Sequence, residues 1–265
     1  MKVSMKAGLA LGSQNRRSCI LLGYARNASV LKDAHRMKVL GFCSQSMATI
    51  PGARGRCGRA SIVCMARKER SLVHRLASGN GVLYVRNFLE KNDFEQVVQY
   101  SASVQSRAKK EVNSLAMNRL GLQVPSRALI TTIFHSDRLV KRLRIMLEET
   151  RLVPADYPLE LRYYVPGSEM QWHKDDQLYT EPTFEAVFTI FNFSDSNTEW
   201  IDRNGELRTQ WTEPNSLLLV QSQSALHRVS KIRRGERGIL KLVYTTTLER
   251  SNSYERCSKS FHKKR

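Results

Sequence analysis

Leu159-Glu160-Leu161-Arg162-Tyr163-Tyr164-Val165-Pro166-Gly167-Ser168-Glu169-Met170-Gln171-Trp172-His173-Lys174-Asp175 is the stretch on which the reading of this chain turns. It predicts a strand over 159–165, a turn at Pro166-Gly167, and a second strand over 170–175 that ends in His-x-Asp. Side chains alternate along a strand with a period of two, so His173 and Asp175 are expected on one face. Asp176 then points away and reads as a turn residue or as an acceptor that supports the ligands from outside.

Far downstream stands a second histidine, His227, after an apolar run Ser216-Leu217-Leu218-Leu219-Val220, and then Gly235-Glu236-Arg237. Taken singly these have plain readings: a hydrogen-bonded strand histidine, a core histidine at a strand end, a solvated arginine. Order, spacing and strand context together point to a metal set. Two histidines and one carboxylate bind Fe(II) on one face of its octahedron and leave the other positions open.

These residues resemble the 2-oxoglutarate- and Fe(II)-dependent dioxygenases, most closely their prolyl 4-hydroxylase-like branch. The pattern is Tyr, Gly, His-x-Asp, then a strand before the distal His, a Val two residues on, and Gly-x-Arg. Here it is Tyr164, Gly167, His173, Asp175, the strand 216–220, His227, Val229 and Gly235-Glu236-Arg237. The resemblance spans residues 80 to 248 or so. It implies that His173, Asp175 and His227 hold Fe(II), with 2-oxoglutarate as cosubstrate and O2 as oxidant. Arg237, ten positions after His227, would grip the far carboxylate of 2-oxoglutarate through paired hydrogen bonds. Tyr164 would line that pocket and Tyr163 would face the other way. Thr189 either adds a hydroxyl there or fills a strand. Arg228, Arg233, Arg234 and Lys241 are expected to be solvated charges. The implied reaction couples decarboxylation of 2-oxoglutarate to succinate and CO2 with hydroxylation, first of a protein side chain such as proline. Ascorbate as reductant is a family expectation. Two rivals are a nucleic-acid oxidative demethylase and an inactive jelly-roll binding protein.

Two departures concern the surroundings of the set. In place of a Gly-Gly-acid-Thr segment stands Asn197 to Leu207, read as part of a hairpin over 198–210 with both turn positions, Asn204 and Gly205, at positive φ. In place of Gly before the strand leading to His227 stands Pro214-Asn215; Asn tolerates the left-handed region, so the turn is expected to survive.

Around this core, Val82–Val85 reads as a strand. Asn92 to Glu95 reads as a capping box opening a helix whose apolar face is Phe94, Val97 and Val98. A second helix is expected from Asp137 to Glu149, capped by Ser136, with Leu139, Val140, Leu143, Met146 and Leu147 inward. Further strands are expected over 186–193, 226–230 and 237–247. Helices first and many short strands later predict a mainly β, α+β fold: a double-stranded β-helix, or jelly roll, backed by helices. Its bounds are 81–248, with a basic tail over 249–265.

The chain has 265 residues and a net charge of +19. Residues 1 to 66 hold eleven Lys/Arg and one acid, Asp33, so +10 of that charge precedes the core and +9 lies in the remainder. The segment is rich in Ser, Ala, Gly and Arg and ends in Ile62-Val63-Cys64. It reads as a disordered transit peptide over 1–64 that engages the plastid import machinery and is removed after Cys64, followed by a linker over 65–80. That places the mature protein in the chloroplast stroma, with a mitochondrial destination as the rival. Four of the five cysteines, at 19, 43, 57 and 64, fall in this leader, so the mature chain keeps Cys257 and no disulfide framework is expected. No apolar run approaches the roughly twenty residues of a membrane span. The remaining +9 is a modest charge with no recognisable nucleic-acid module, which favours a protein, peptide or small-molecule substrate over a nucleic acid.

Overall fold

The computed structural model describes residue 72, residues 75–111 and residues 115–262. The leader, its processing point and most of the linker lie outside the described residues. Strands are β1 (Val82–Val85), β2 (Lys109–Lys110), β3 (Ala116–Met117), β4 (Leu120–Gln123), β5 (Val153–Pro154), β6 (Glu160–Tyr164), β7 (Glu169–His173), β8 (Thr183–Asn192), β9 (Thr198–Ile201), β10 (Leu207–Gln210), β11 (Ser216–Gln221), β12 (His227–Val229) and β13 (Arg237–Thr245). Helices are α1 (Lys91–Val104), α2 (Leu129–Phe134), α3 (Asp137–Leu147) and α4 (Asn252–His262).

The strands form two antiparallel sheets. The larger runs β1-β11-β8-β13-β6-β4-β2, with β5 also on β13; the smaller runs β10-β9-β12-β7-β3. The larger sheet is covered on both faces, which is why β8 and β13 are buried almost throughout. Ala186, Phe188 and Ile190 of β8 face the helices, where Phe188 meets Phe88, Phe94 and Phe134 with ring centres 5.1 to 6.3 Å apart. The opposite face meets the smaller sheet through Tyr164, Ile239 and Val187 against Ala116, Met170 and Val229. This is the expected double-sheet jelly roll with helices behind it.

Helix α3 buries the five apolar residues read from its periodicity, and the Ser136 hydroxyl accepts from Leu139 N–H at 3.5 Å. Helix α1 differs: it starts at Lys91, so Asn92 lies inside it and the capping box does not form. Its entry is set from a distance. Asn215 accepts from Leu89 N–H at 2.8 Å and donates to Leu89 C=O at 2.9 Å. Asn215 has φ +60°, the left-handed geometry expected of it in place of glycine.

The hairpin is present, but of its two expected turn positions only Gly205 has positive φ. Its loop is wider and is organised by Asp202, whose Oδ1 accepts from Asn204 N–H at 2.8 Å and Glu206 N–H at 3.0 Å. Residues 252–262, expected as a tail, form α4, and Tyr254 packs edge-on against Tyr157 and Tyr179. An amphipathic pattern masked by its basic residues was missed there. No helix among the described residues is long and apolar enough to cross a membrane.

Candidate metal centre and anion pocket

His173 and His227 are direct cross-strand partners on β7 and β12. Their ring centres lie 4.2 Å apart. The register slips between them and the next pair, Val229 with Met170, so β7 carries an extra residue there. That bulge lets Met170 and His173, three residues apart, share the inner face.

The expectation for Asp175 is corrected in its cause. Strand β7 ends at His173, so alternation does not place the carboxylate. Asp175 lies in the following loop, and its C=O accepts from Gln223 N–H at 3.2 Å and Gln223 Nε2 at 2.8 Å. So held, Asp175 Oδ1 stands 3.7 Å from His173 Nε2, and Oδ2 stands 3.5 Å from His227 Nε2. The three side chains form a compact group able to hold a metal ion. Asp176 is turned out toward Arg256 at 3.8 Å, as expected.

The histidines are oriented by their other nitrogens. His173 Nδ1 lies 2.8 Å from Gln171 C=O and His227 Nδ1 lies 3.1 Å from Ala225 C=O. A carbonyl can only accept, so each Nδ1 bears the proton and each Nε2 lone pair faces Asp175. Burial, then the charge of His227, push His173 down to about 4, so it is a neutral ligand at physiological pH. Burial and the neighbouring Glu185 push Asp175 up. Its Oδ2 is buried with no hydrogen-bond partner. Two lone pairs and an unpartnered carboxylate oxygen converging on one point match the donor set of a divalent metal.

Arg237 starts β13 and is 1% exposed. Its Nη1 donates to Thr198 Oγ1 at 3.1 Å, its Nε has no partner, and no carboxylate among the described residues pairs with it. Burial lowers Arg237, but guanidinium stays charged in proteins. A buried, permanent cation without a counter-charge is costly unless an anion joins it. Its guanidinium carbon lies 5.9 Å from the centre of the Tyr164 ring. Tyr163 faces the opposite way, with its hydroxyl on Ser101 C=O at 3.0 Å. Thr189 is on the same inner side as Val187, and its hydroxyl donates to Thr212 Oγ1 at 2.9 Å.

Arg233 and Arg234 are exposed, as read. Lys241 and Arg228 are not free in solvent. Lys241 faces the interior and pairs with Glu185 at 2.5 Å; Arg228 pairs with Glu199 at 2.6 Å and lies over Trp172. Alternation along 237–245 puts Lys241 on the face of Arg237, a signal present in the sequence but outweighed by the basic run before it. Arg119, which reaches Tyr164, and Thr198, which reaches Arg237, were also missed. So was Trp200, opposite His227, whose buried indole N–H has no partner.

No family model and no curated protein matches this sequence. Solved structures do match its fold. A Pseudomonas putida prolyl-4-hydroxylase is 16% identical with a TM-score of 0.54, over 66% of this chain and 97% of that one. A Trichoplax adhaerens prolyl hydroxylase, in complex with a hypoxia inducible factor peptide fragment, is 15% identical with a TM-score of 0.55, over 71% and 94%. A nogalamycin epimerase in complex with Fe3+ and alpha ketoglutarate is 9% identical with a TM-score of 0.53, over 68% and 84%. The likeness is one of fold: the jelly roll of the 2-oxoglutarate- and Fe(II)-dependent oxygenases.

Proposed function

We propose that this protein is an Fe(II)- and 2-oxoglutarate-dependent oxygenase that hydroxylates a side chain of a protein or peptide, proline first. The observation that carries the reading is the coincidence of two demands inside one barrel. His173, Asp175 and His227 turn unpartnered donors toward one point, and Arg237 waits, charged and buried, for an anion. A metal alone answers the first and leaves the second. A dianion with a metal-chelating end and a free carboxylate answers both.

When bound, iron with 2-oxoglutarate supplies activation of O2 coupled to release of succinate and CO2. The chain's own work is placement. Gln171 and Ala225 carbonyls fix the imidazole tautomers, Gln223 fixes the carboxylate, and Arg237 with Thr198 fixes the far end of the cosubstrate. Lying between the two sheets, the three side chains keep only 7 to 14% of their surface exposed, which limits the water around them.

The peptide as substrate is supported by the fold neighbour that was solved with a peptide fragment. Ascorbate as a reductant belongs to the same reading. Plastid stroma as the site of action, reached through the import machinery, rests on the acid-poor leader and its Ile62-Val63-Cys64 end.

Anaerobic addition of Fe(II) and 2-oxoglutarate is expected to give a visible absorption band, and succinate release should rise with proline-containing peptides and not with methylated oligonucleotides. No band would overturn the oxygenase reading. A response to oligonucleotides alone would replace the substrate class.

A further inference from the structure

Arg119 lies between β3 and β4, and nothing in the sequence around it singles it out. Its side chain is nonetheless 1% exposed. Nη1 donates to the Tyr164 hydroxyl oxygen at 2.9 Å and approaches Met170 Sδ at 3.6 Å. Nε and Nη2 both donate to Glu111 Oε2, at 3.1 and 2.6 Å. Gly121 makes room for this carboxylate: a Cβ there would stand 2.4 Å from Glu111 Oε1. Arg119 and Arg237 both lie against the Tyr164 ring, at 5.5 and 5.9 Å from its centre.

A forked arginine locked on a carboxylate has little freedom to turn. Its third N–H occupies a lone pair of the Tyr164 oxygen, so that oxygen's own hydrogen must go elsewhere. Arg237, the other cation at the ring, offers only donors. Among the described residues no hydrogen bond takes the Tyr164 proton. The Tyr164 O–H and Arg237 Nε thus want the same partner, an anionic oxygen.

We propose that Arg119 is a positioning residue of the cosubstrate pocket, one that turns the Tyr164 hydroxyl into an obligate donor toward the carboxylate held by Arg237. This rests on the reading of that pocket as the 2-oxoglutarate site. It separates Arg119 from an ordinary structural ion pair, because its effect must pass through Tyr164 and must depend on the carboxylate.

The test is anaerobic titration calorimetry of the Fe(II)-loaded protein with 2-oxoglutarate and with 2-oxopentanoate, a keto acid that lacks the far carboxylate. Arg119→Met and Tyr164→Phe should each weaken 2-oxoglutarate by roughly tenfold and leave 2-oxopentanoate and Fe(II) within about twofold. Joined in one protein, the two changes should cost no more than Tyr164→Phe alone. Should Arg119→Met fold poorly because Glu111 loses its nearer partner and keeps only Arg162 at 3.6 Å, E111Q/R119M removes that charge and carries the same expectation. Arg119→Met that binds 2-oxoglutarate like the wild type, or loses both keto acids equally, overturns the role of Arg119. A wild-type protein that binds neither keto acid overturns the oxygenase reading and this inference with it.

Discussion

The main-chain carbonyl of Asp175 accepts two hydrogen bonds from a single residue, Gln223: one from its N–H at 3.2 Å and one from its side-chain amide at 2.8 Å. Gln223 sits at φ +57°, in the turn after β11. The candidate metal carboxylate is therefore placed by a residue 48 positions downstream, not by its own strand.

Gln223→Leu removes the side-chain amide donor and leaves the main-chain N–H in place. Metal affinity should fall by about tenfold, the usual effect of losing a group that supports a ligand, while the thermal midpoint moves little. Titration with Fe(II) or Mn(II) reads this; unchanged affinity refutes it.

Asp175→Ala should abolish metal binding and turnover, because it removes the anionic member of the set. Asp176→Ala should retain most of both, since that carboxylate faces Arg256. Reversed behaviour would show that the wrong acid has been assigned to the site.

Arg237→Leu should weaken 2-oxoglutarate by at least roughly tenfold and leave metal affinity near that of the wild type. It should not lower the thermal midpoint, because it removes a buried charge that has no counter-charge. Arg234→Leu, at an exposed position, should change neither. Calorimetry with thermal denaturation distinguishes these; equal 2-oxoglutarate binding by Arg237→Leu and wild type would remove this residue from the site.

Glu111 gives a pH signature. Burial raises it, but Arg162 at 3.6 Å and Arg119 at 2.6 Å outweigh burial and hold it below its usual value of 4.5. A carboxyl whose folded value lies below its unfolded one contributes stability above the unfolded value, and that contribution fades as pH falls through the folded one. Wild-type stability should therefore fall more steeply below pH 4.5 than that of Glu111→Gln. Parallel denaturant curves for the two proteins across that range would contradict this.

The mature N-terminus is expected within a few residues of Met65. Sequencing the N-terminus of protein from its native source checks it, as does a fusion of residues 1 to 66 to a fluorescent reporter. An active protein beginning at Met1, or a fusion that stays in the cytosol, would sink the plastid assignment.

The strands, their two-residue alternation and the histidines at 173 and 227 were legible because β-structure writes its two faces into the sequence. Tyr164 was separated from Tyr163 on that ground, and the structure sends them to opposite sides of the sheet. Alternation failed at the bulge in β7 and beyond its end, so Asp175 was placed for the wrong reason. It failed also for Lys241, where a run of exposed basic residues hid one that faces inward.

By itself, then, the sequence determined the run of strands and which of their residues share a face, because these depend on residue type and short-range periodicity, while the candidate metal donors and Arg237 were singled out by the order and spacing that carry the family resemblance. Only the tertiary structure decided what holds those groups in place: Gln223 on Asp175, Arg119 and Glu111 behind Tyr164, Thr198 on Arg237. These partners lie 8 to 48 positions apart in the chain. They meet only because antiparallel pairing brings distant strands and turns together, and hydrogen bonds between such segments leave no periodic trace in the sequence.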